Sequence, residues 1–285
     1  MGWEWELVDT YPDFRRELGG DLVSAWLRYM SRHSELLELQ LEDLGPRWRG
    51  ELERAMRVVS ERLELVEAAW AAARGAIPRA FERIEEVWRP GPKVVVVLYV
   101  GAGCGAGWAT EYTGRYAVLV GLETVAELGW HGEADVEGLL VHELAHVAHM
   151  DARGLRPREF EELEGDPLFL LYSEGFATRC ERLAVTGGEW RVASSPSWAE
   201  WCERNLSLLA SEYLRRVRGG EPVSDFFGHR LSVFGASQPG YYLGHEVVRE
   251  LERGLRLRGV ATMGLSEVRA EVARVLRSLS QGSRR

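Results

Sequence analysis

Apolar positions in the first ninety residues recur at helical spacing. Leu22, Val23, Trp26, Leu27 and Met30 fall on one face of a 3.6-residue period, and Gly45-Pro46 interrupts the pattern. From Leu52 the steps alternate between four and three, through Met56, Val59, Leu63, Val66, Trp70 and Ala73, with Arg and Glu on the other faces. That is a heptad seam of about three repeats. It predicts two antiparallel helices packed within the domain, with a coiled coil offered to a partner or a second copy of the chain as the alternative. A third, short helix is expected from near Pro78 to just before Pro90-Gly91-Pro92. Residues 1–90 thus read as a helical N-terminal region.

The pattern changes at Lys93. The run Val94–Val100 is too short and too β-branched to favour a helix and predicts a buried strand. A glycine-rich loop, Gly101-Ala102-Gly103-Cys104-Gly105-Ala106-Gly107, follows it. Tyr116–Gly121 predicts a second strand. A helix is expected from about Asp135 through Leu139, Leu140, Leu144 and Val147 to near Asp151, with Gly154 as its stop. Beyond Pro167 the chain again reads as helical, with turns at Gly187-Gly188, Gly219-Gly220 and Gln238-Pro239-Gly240, and the final Ser-Gln-Gly-Ser-Arg-Arg is expected to fray. The class is α+β, mostly helical. Its second domain, 91–285, would combine a small mixed sheet and its helix (91–154) with a helical C-terminal lobe (167–280).

Composition narrows the function classes. The 285 residues are 46% hydrophobic, enough to bury a sizeable core. The net charge of −9 repels phosphate backbones and argues against general nucleic-acid binding. Cys104, Cys180 and Cys202 are scattered and odd in number, so neither a disulfide framework nor a cysteine zinc site is expected. No basic stretch precedes an apolar core at the N-terminus, and no run approaches the ~18 apolar residues of a membrane span. The expectation is a cytoplasmic protein with no membrane partner.

The chemistry concentrates in His142-Glu143-Leu144-Ala145-His146. Two histidines four apart on a helix project from one face, where both imidazoles can reach a single ion. Glu143 then stands beside the ion's open position and can take a proton from its water. Catalytic zinc takes three protein ligands, so one more is needed. The longer motif with a third histidine is absent, because position 152 is an alanine. Downstream, Leu171-Tyr172-Ser173-Glu174-Gly175-Phe176-Ala177 reads as the start of another helix, with Ser173 as its cap and Glu174 in its first turn. A carboxylate there could reach back and complete a His2Glu set for Zn2+.

These segments resemble the gluzincin class of zinc metallopeptidases. Ser173-Glu174-Gly175-Phe176-Ala177 is similar to the Asn-Glu-Gly-Phe-Ala of the large zinc aminopeptidases, with an insertion, Leu155 to Asp166, between the two motifs. Gly240-Tyr241-Tyr242-Leu243-Gly244 and the chain length also resemble a bacterial family of predicted zinc-dependent proteases. The resemblance covers roughly residues 94–250. It implies a zincin-like fold, peptide or protein substrates, zinc on His142, His146 and Glu174, and Glu143 as general base and proton donor to the leaving amine. It implies that Tyr116–Gly121 is the edge strand pairing with an extended peptide. It also implies a Tyr or His on the oxyanion, with Tyr241 and Tyr242 preferred over His229 and His245.

Other features carry less. The loop fits G-x-G-x-x-A, but Trp108–Gly114 favours extended or looped chain over the helix a dinucleotide site requires. His149 is expected beside the ligands or at the surface, and Asp151 and Glu181 as carboxylates behind the histidines or as solvated acids. A role for Glu111 in holding a substrate amine lacks the surrounding motif. Cys180 and Cys202 read as ordinary thiols. The alternative function is a zinc-binding regulatory or partner-binding protein without peptidase activity.

Overall fold

The computed structural model describes residues 2–185, 190–192, 195 and 197–282. In chain order its elements are β1 (Glu4–Asp9), α1 (Tyr11–Glu17), α2 (Leu22–Met30), α3 (Ser34–Leu44), α4 (Trp48–Glu61), α5 (Leu63–Val87), β2 (Lys93–Tyr99), β3 (Gly107–Tyr112), β4 (Arg115–Gly121), α6 (Leu122–Leu128) and α7 (Glu133–Arg153). They continue with α8 (Pro157–Glu164), α9 (Pro167–Ala184), α10 (Trp198–Arg204), α11 (Leu206–Gly219), α12 (Pro239–Leu251), α13 (Leu257–Ala261) and α14 (Leu265–Ser280). The class is α+β, 66% helical, with one small mixed sheet. The chain divides into two compact units, Met1–Val147 and Ala148–Arg285, and the division falls inside α7.

The first unit holds the sheet, in the order β1-β2-β4-β3. β1 and β4 both run parallel to β2, while β3 folds back on β4 as a hairpin around Thr113-Gly114. Val94–Val97 of β2 are fully buried, as an unbroken β-branched run covered on both faces should be. β1 corrects the all-helical reading of the first ninety residues. Trp3, Trp5 and Leu7 alternate with Glu4, Glu6 and Val8, a period of two, and the segment pairs with β2 from Glu4–Lys93 to Asp9–Leu98.

The heptad seam spans two helices. α4 ends at Arg62 (φ −136°, ψ 34°), and α5 then runs unbroken through Pro78, so the short helix expected to start there is the continuation of α5. The seam itself faces the core: Leu52, Met56, Val59, Val66 and Ala73 are buried, and Leu63 and Trp70 half-buried.

The second unit is helical. α9 and α12 cross at a glycine pair, where a Cβ on Gly175 would stand 2.3 Å from the Gly244 carbonyl oxygen. The glycines of Gly-Phe-Ala and of Gly-Tyr-Tyr-Leu-Gly thus allow two helix backbones to meet. Gly220 ends α11 in the left-handed conformation, and Pro239 opens α12 after Gln238. The turn expected at Gly187-Gly188 and the last three residues of the fraying tail lie outside the described residues. No helix of the described residues is long and apolar enough to cross a membrane.

Candidate metal centre

α7 is held at its N-terminal end by ion pairs to α5. The Arg79 guanidinium reaches Glu133 at 2.7 Å and Glu137 at 2.9 Å. Residues 138–150 are then buried without exception. A helix enclosed on all sides is normally apolar throughout, yet this stretch contains His142, Glu143, His146 and His149. Buried groups of this kind need polar or ionic compensation.

The rings of His142 and His146 lie 5.0 Å apart, centroid to centroid. One ligand atom from each, together with a carboxylate oxygen of Glu174, lie within 4.8 Å of one another. Donors at 2.0–2.1 Å from a tetrahedral ion stand about 3.3 Å apart, so the widest gap has to close by at most about 1.5 Å. Two imidazole nitrogens and a carboxylate are also the donor types zinc takes in a three-ligand site. The residues fit the ion.

Glu174 is placed differently from the sequence reading. α9 starts at Pro167, with Asp166 as its cap accepting from the Leu168 and Phe169 N–H groups, so Glu174 is mid-helix. Ser173 caps nothing. Its buried hydroxyl donates to Glu164 at 2.6 Å. The stretch expected as an insertion is largely α8.

Glu143 is 7% exposed and meets the start of β3. A Cβ on Gly107 would fall 2.5 Å from Glu143 Oε1 and 2.7 Å from its Cγ, so the carboxylate lies against bare backbone. This changes the edge strand. β4, expected at the edge, lies between β2 and β3, and β3 is the outer strand. Tertiary pairing decides this order, because β4 reads in sequence as apolar as an interior strand and β3 only as extended chain.

The glycine-rich loop holds its own anion. Gly101 and Gly103 donate their N–H groups to Glu123 at 2.7 and 3.1 Å, and Ala102 donates to Gln40 Oε1 at 2.7 Å. β3, not a helix, follows the loop. The backbone donors a dinucleotide would need are therefore engaged, and the helix N-terminus is missing. Burial raises the Glu123 carboxyl above its ordinary range, against the lowering effect of those N–H donors. Neither Glu123 nor Gln40 was singled out by motif. The available signal was a lone carboxylate within Ala117–Ala126, ten consecutive buried residues whose only other polar side chain is Thr124.

The two tyrosines part company on α12. Tyr242 turns into an aromatic cluster, 5.1 Å from Trp190 and 6.1 Å from Trp198, and burial raises its hydroxyl pKa. Tyr241 shares a small groove with Thr178 and Glu181, which follow Glu174 at i+4 and i+7 on α9. His245 contacts Glu246 at 3.1 Å, and His229 contacts Arg230.

His149 corrects its expectation. It is fully buried, ringed by Phe160, Phe169, Tyr172 and Phe176 at centroid distances of 4.5–6.1 Å, and is not at the surface. Asp151 is exposed, Glu181 is paired with Arg191, and Glu111 is exposed on β3. The three cysteines are free thiols, and burial raises each pKa. No protein-family model, curated protein or solved structure matches this chain.

Proposed function

We propose that this protein is a zinc-dependent peptidase of the gluzincin type. The observation that carries the reading is the convergence of His142, His146 and Glu174, with Glu143 buried between the two histidines in sequence and set against the outer strand of the sheet. Bound zinc would supply Lewis acidity and lower the pKa of its water to ~7. Glu143 would accept the proton from that water and return it to the leaving amine. β3 would offer its outer edge to an extended peptide, a role the sequence pattern assigned to β4. Tyr241, which lines a groove with Thr178 and Glu181, would donate to the developing oxyanion, since Tyr242 is taken up in the aromatic cluster with Trp190.

The test is metal content by inductively coupled plasma mass spectrometry, paired with cleavage of an internally quenched peptide library. Wild type should carry one zinc per chain and cleave. Glu174→Ala should lose most of the metal. Glu143→Gln should keep the metal and lose at least about 10³-fold in kcat, the scale on which a general base matters. Full turnover by Glu143→Gln would sink the mechanism, and zinc without any cleavage by wild type would favour a binding protein.

A further inference from the structure

The buried Glu123 side chain fills the glycine-rich loop. Both ends of the loop are tied to the corner where β4 passes into α6. Gly101 and Gly103 donate to Glu123, and at the other end Gly121 N–H donates to the Ala106 carbonyl at 3.0 Å. Gln40 takes the N–H between them, so three successive backbone donors are satisfied by two buried side chains. The corner is too tight for slack: a Cβ on Gly121 would stand 2.4 Å from the Gly105 carbonyl oxygen. One residue past Ala106, Gly107 opens β3 opposite Val120 and presents its bare Cα to the Glu143 side chain.

We propose that Glu123 is the positioning residue for Glu143: by clamping the loop it fixes Gly107, and Gly107 fixes the direction of the general base. The inference rests on the peptidase reading. A misplacement of about 1 Å in a catalytic group can lower turnover 10²-fold, without any contact between the altered residue and substrate. Glu123→Gln keeps the shape but turns an amide N–H2 toward one of two N–H donors, so one loop bond must break. Gly107→Ala reaches the same carboxylate directly. Its methyl would displace the flexible Glu143 side chain and leave the loop clamp alone.

The experiment uses the zinc-loaded 285-residue chain, comparing wild type with Glu123→Gln, Gly107→Ala and the double variant. Readouts are kcat and KM on the quenched peptide library, zinc content, and amide hydrogen exchange. Glu123→Gln should lower kcat roughly 10- to 100-fold, with KM within about twofold and one zinc retained. Exchange at residues 101–110 should quicken at least about tenfold while α7 stays protected. Gly107→Ala should reproduce the kcat loss with the loop still protected, and the double variant should be no slower than the slower single. Unchanged kcat in Glu123→Gln, or losses that multiply in the double variant, would overturn the proposal. If Glu123→Gln fails to fold, Gly107→Ala decides: a kcat within about twofold of wild type removes the Gly107 link. If wild type cleaves nothing, the peptidase reading falls, and exchange alone judges the clamp, with unaltered exchange at 101–110 counting against it.

Discussion

Two stretches of one helix meet opposite fates. His142 and His146 join Glu174 in a group that could hold a metal ion, whereas His149, one turn beyond His146, is walled in by four aromatic rings. The residue type, the helix and the degree of burial are nearly the same. What differs is the neighbour: the Glu174 carboxylate in one case, the rings of Phe160, Phe169, Tyr172 and Phe176 in the other. Histidine on a buried helix is therefore not by itself a ligand. The surroundings decide whether the ring serves as a base or as a flat, packable body.

The comparison can be broken at several points. The largest effect is expected from His146→Phe. It should remove zinc altogether and with it all cleavage, whereas retained stoichiometric zinc would show that the ion, if bound, sits elsewhere. Next comes Gly175→Ala. Its methyl cannot fit 2.3 Å from the Gly244 carbonyl, so α9 must move off α12. Because α9 carries both Glu174 and three of the rings around His149, both regions should suffer. Denaturant unfolding should show a loss of about 1–3 kcal/mol, the range for overpacking and its backbone shifts, and zinc occupancy should fall in parallel. An unchanged midpoint would mean that the crossing is not as close as the structure has it.

His149→Phe should behave in the opposite way to His146→Phe. An aromatic ring of similar size replaces another inside an aromatic box, so zinc should remain at one per chain and stability should shift by less than about 1.5 kcal/mol. Loss of metal in this variant would erase the distinction between the two stretches. The smallest effect is a common acid limb. Hydrogen bonds from Arg215, then from Arg216, hold Glu212 at about 2, below its ordinary 4.5. A carboxylate with a lowered folded-state pKa stabilises the fold above the ordinary value and loses that contribution as pH falls toward 2. The side chains are partly exposed, so the loss should stay near or below about 1 kcal/mol. Wild type and His149→Phe should share it, measured by thermal melting between pH 5 and 2, and Glu212→Gln should flatten it.

Much of this was readable along the chain, because the relevant signals are local. Val94–Val97 specify a buried strand through their own side chains, and α7 declares itself through apolar spacing. The i, i+4 separation of His142 and His146 puts them on one face of any helix. Glu174 is legible as a residue but not as a position, since its motif gives no sign of the roughly two turns of α9 that precede it. The chain reads as helical beyond Pro167, but the cap of this helix is Asp166 rather than Ser173. β1 is illegible for a related reason: the four-residue alternation Trp3-Glu4-Trp5-Glu6 is a faint pattern until β2 lies alongside.

The sequence by itself determined β2, β4 and α7, but not α6, and it named His142, Glu143, His146 and Glu174 as candidates, because propensity and spacing act over a few residues. The tertiary structure alone decided that β3 and not β4 is the outer strand, and that Glu123 fills the glycine-rich loop. It also decided that the glycines of α9 and α12 face each other and that His149 is enclosed by rings. Each of these depends on which distant segments meet. Burial and backbone hydrogen bonding are settled only when they do.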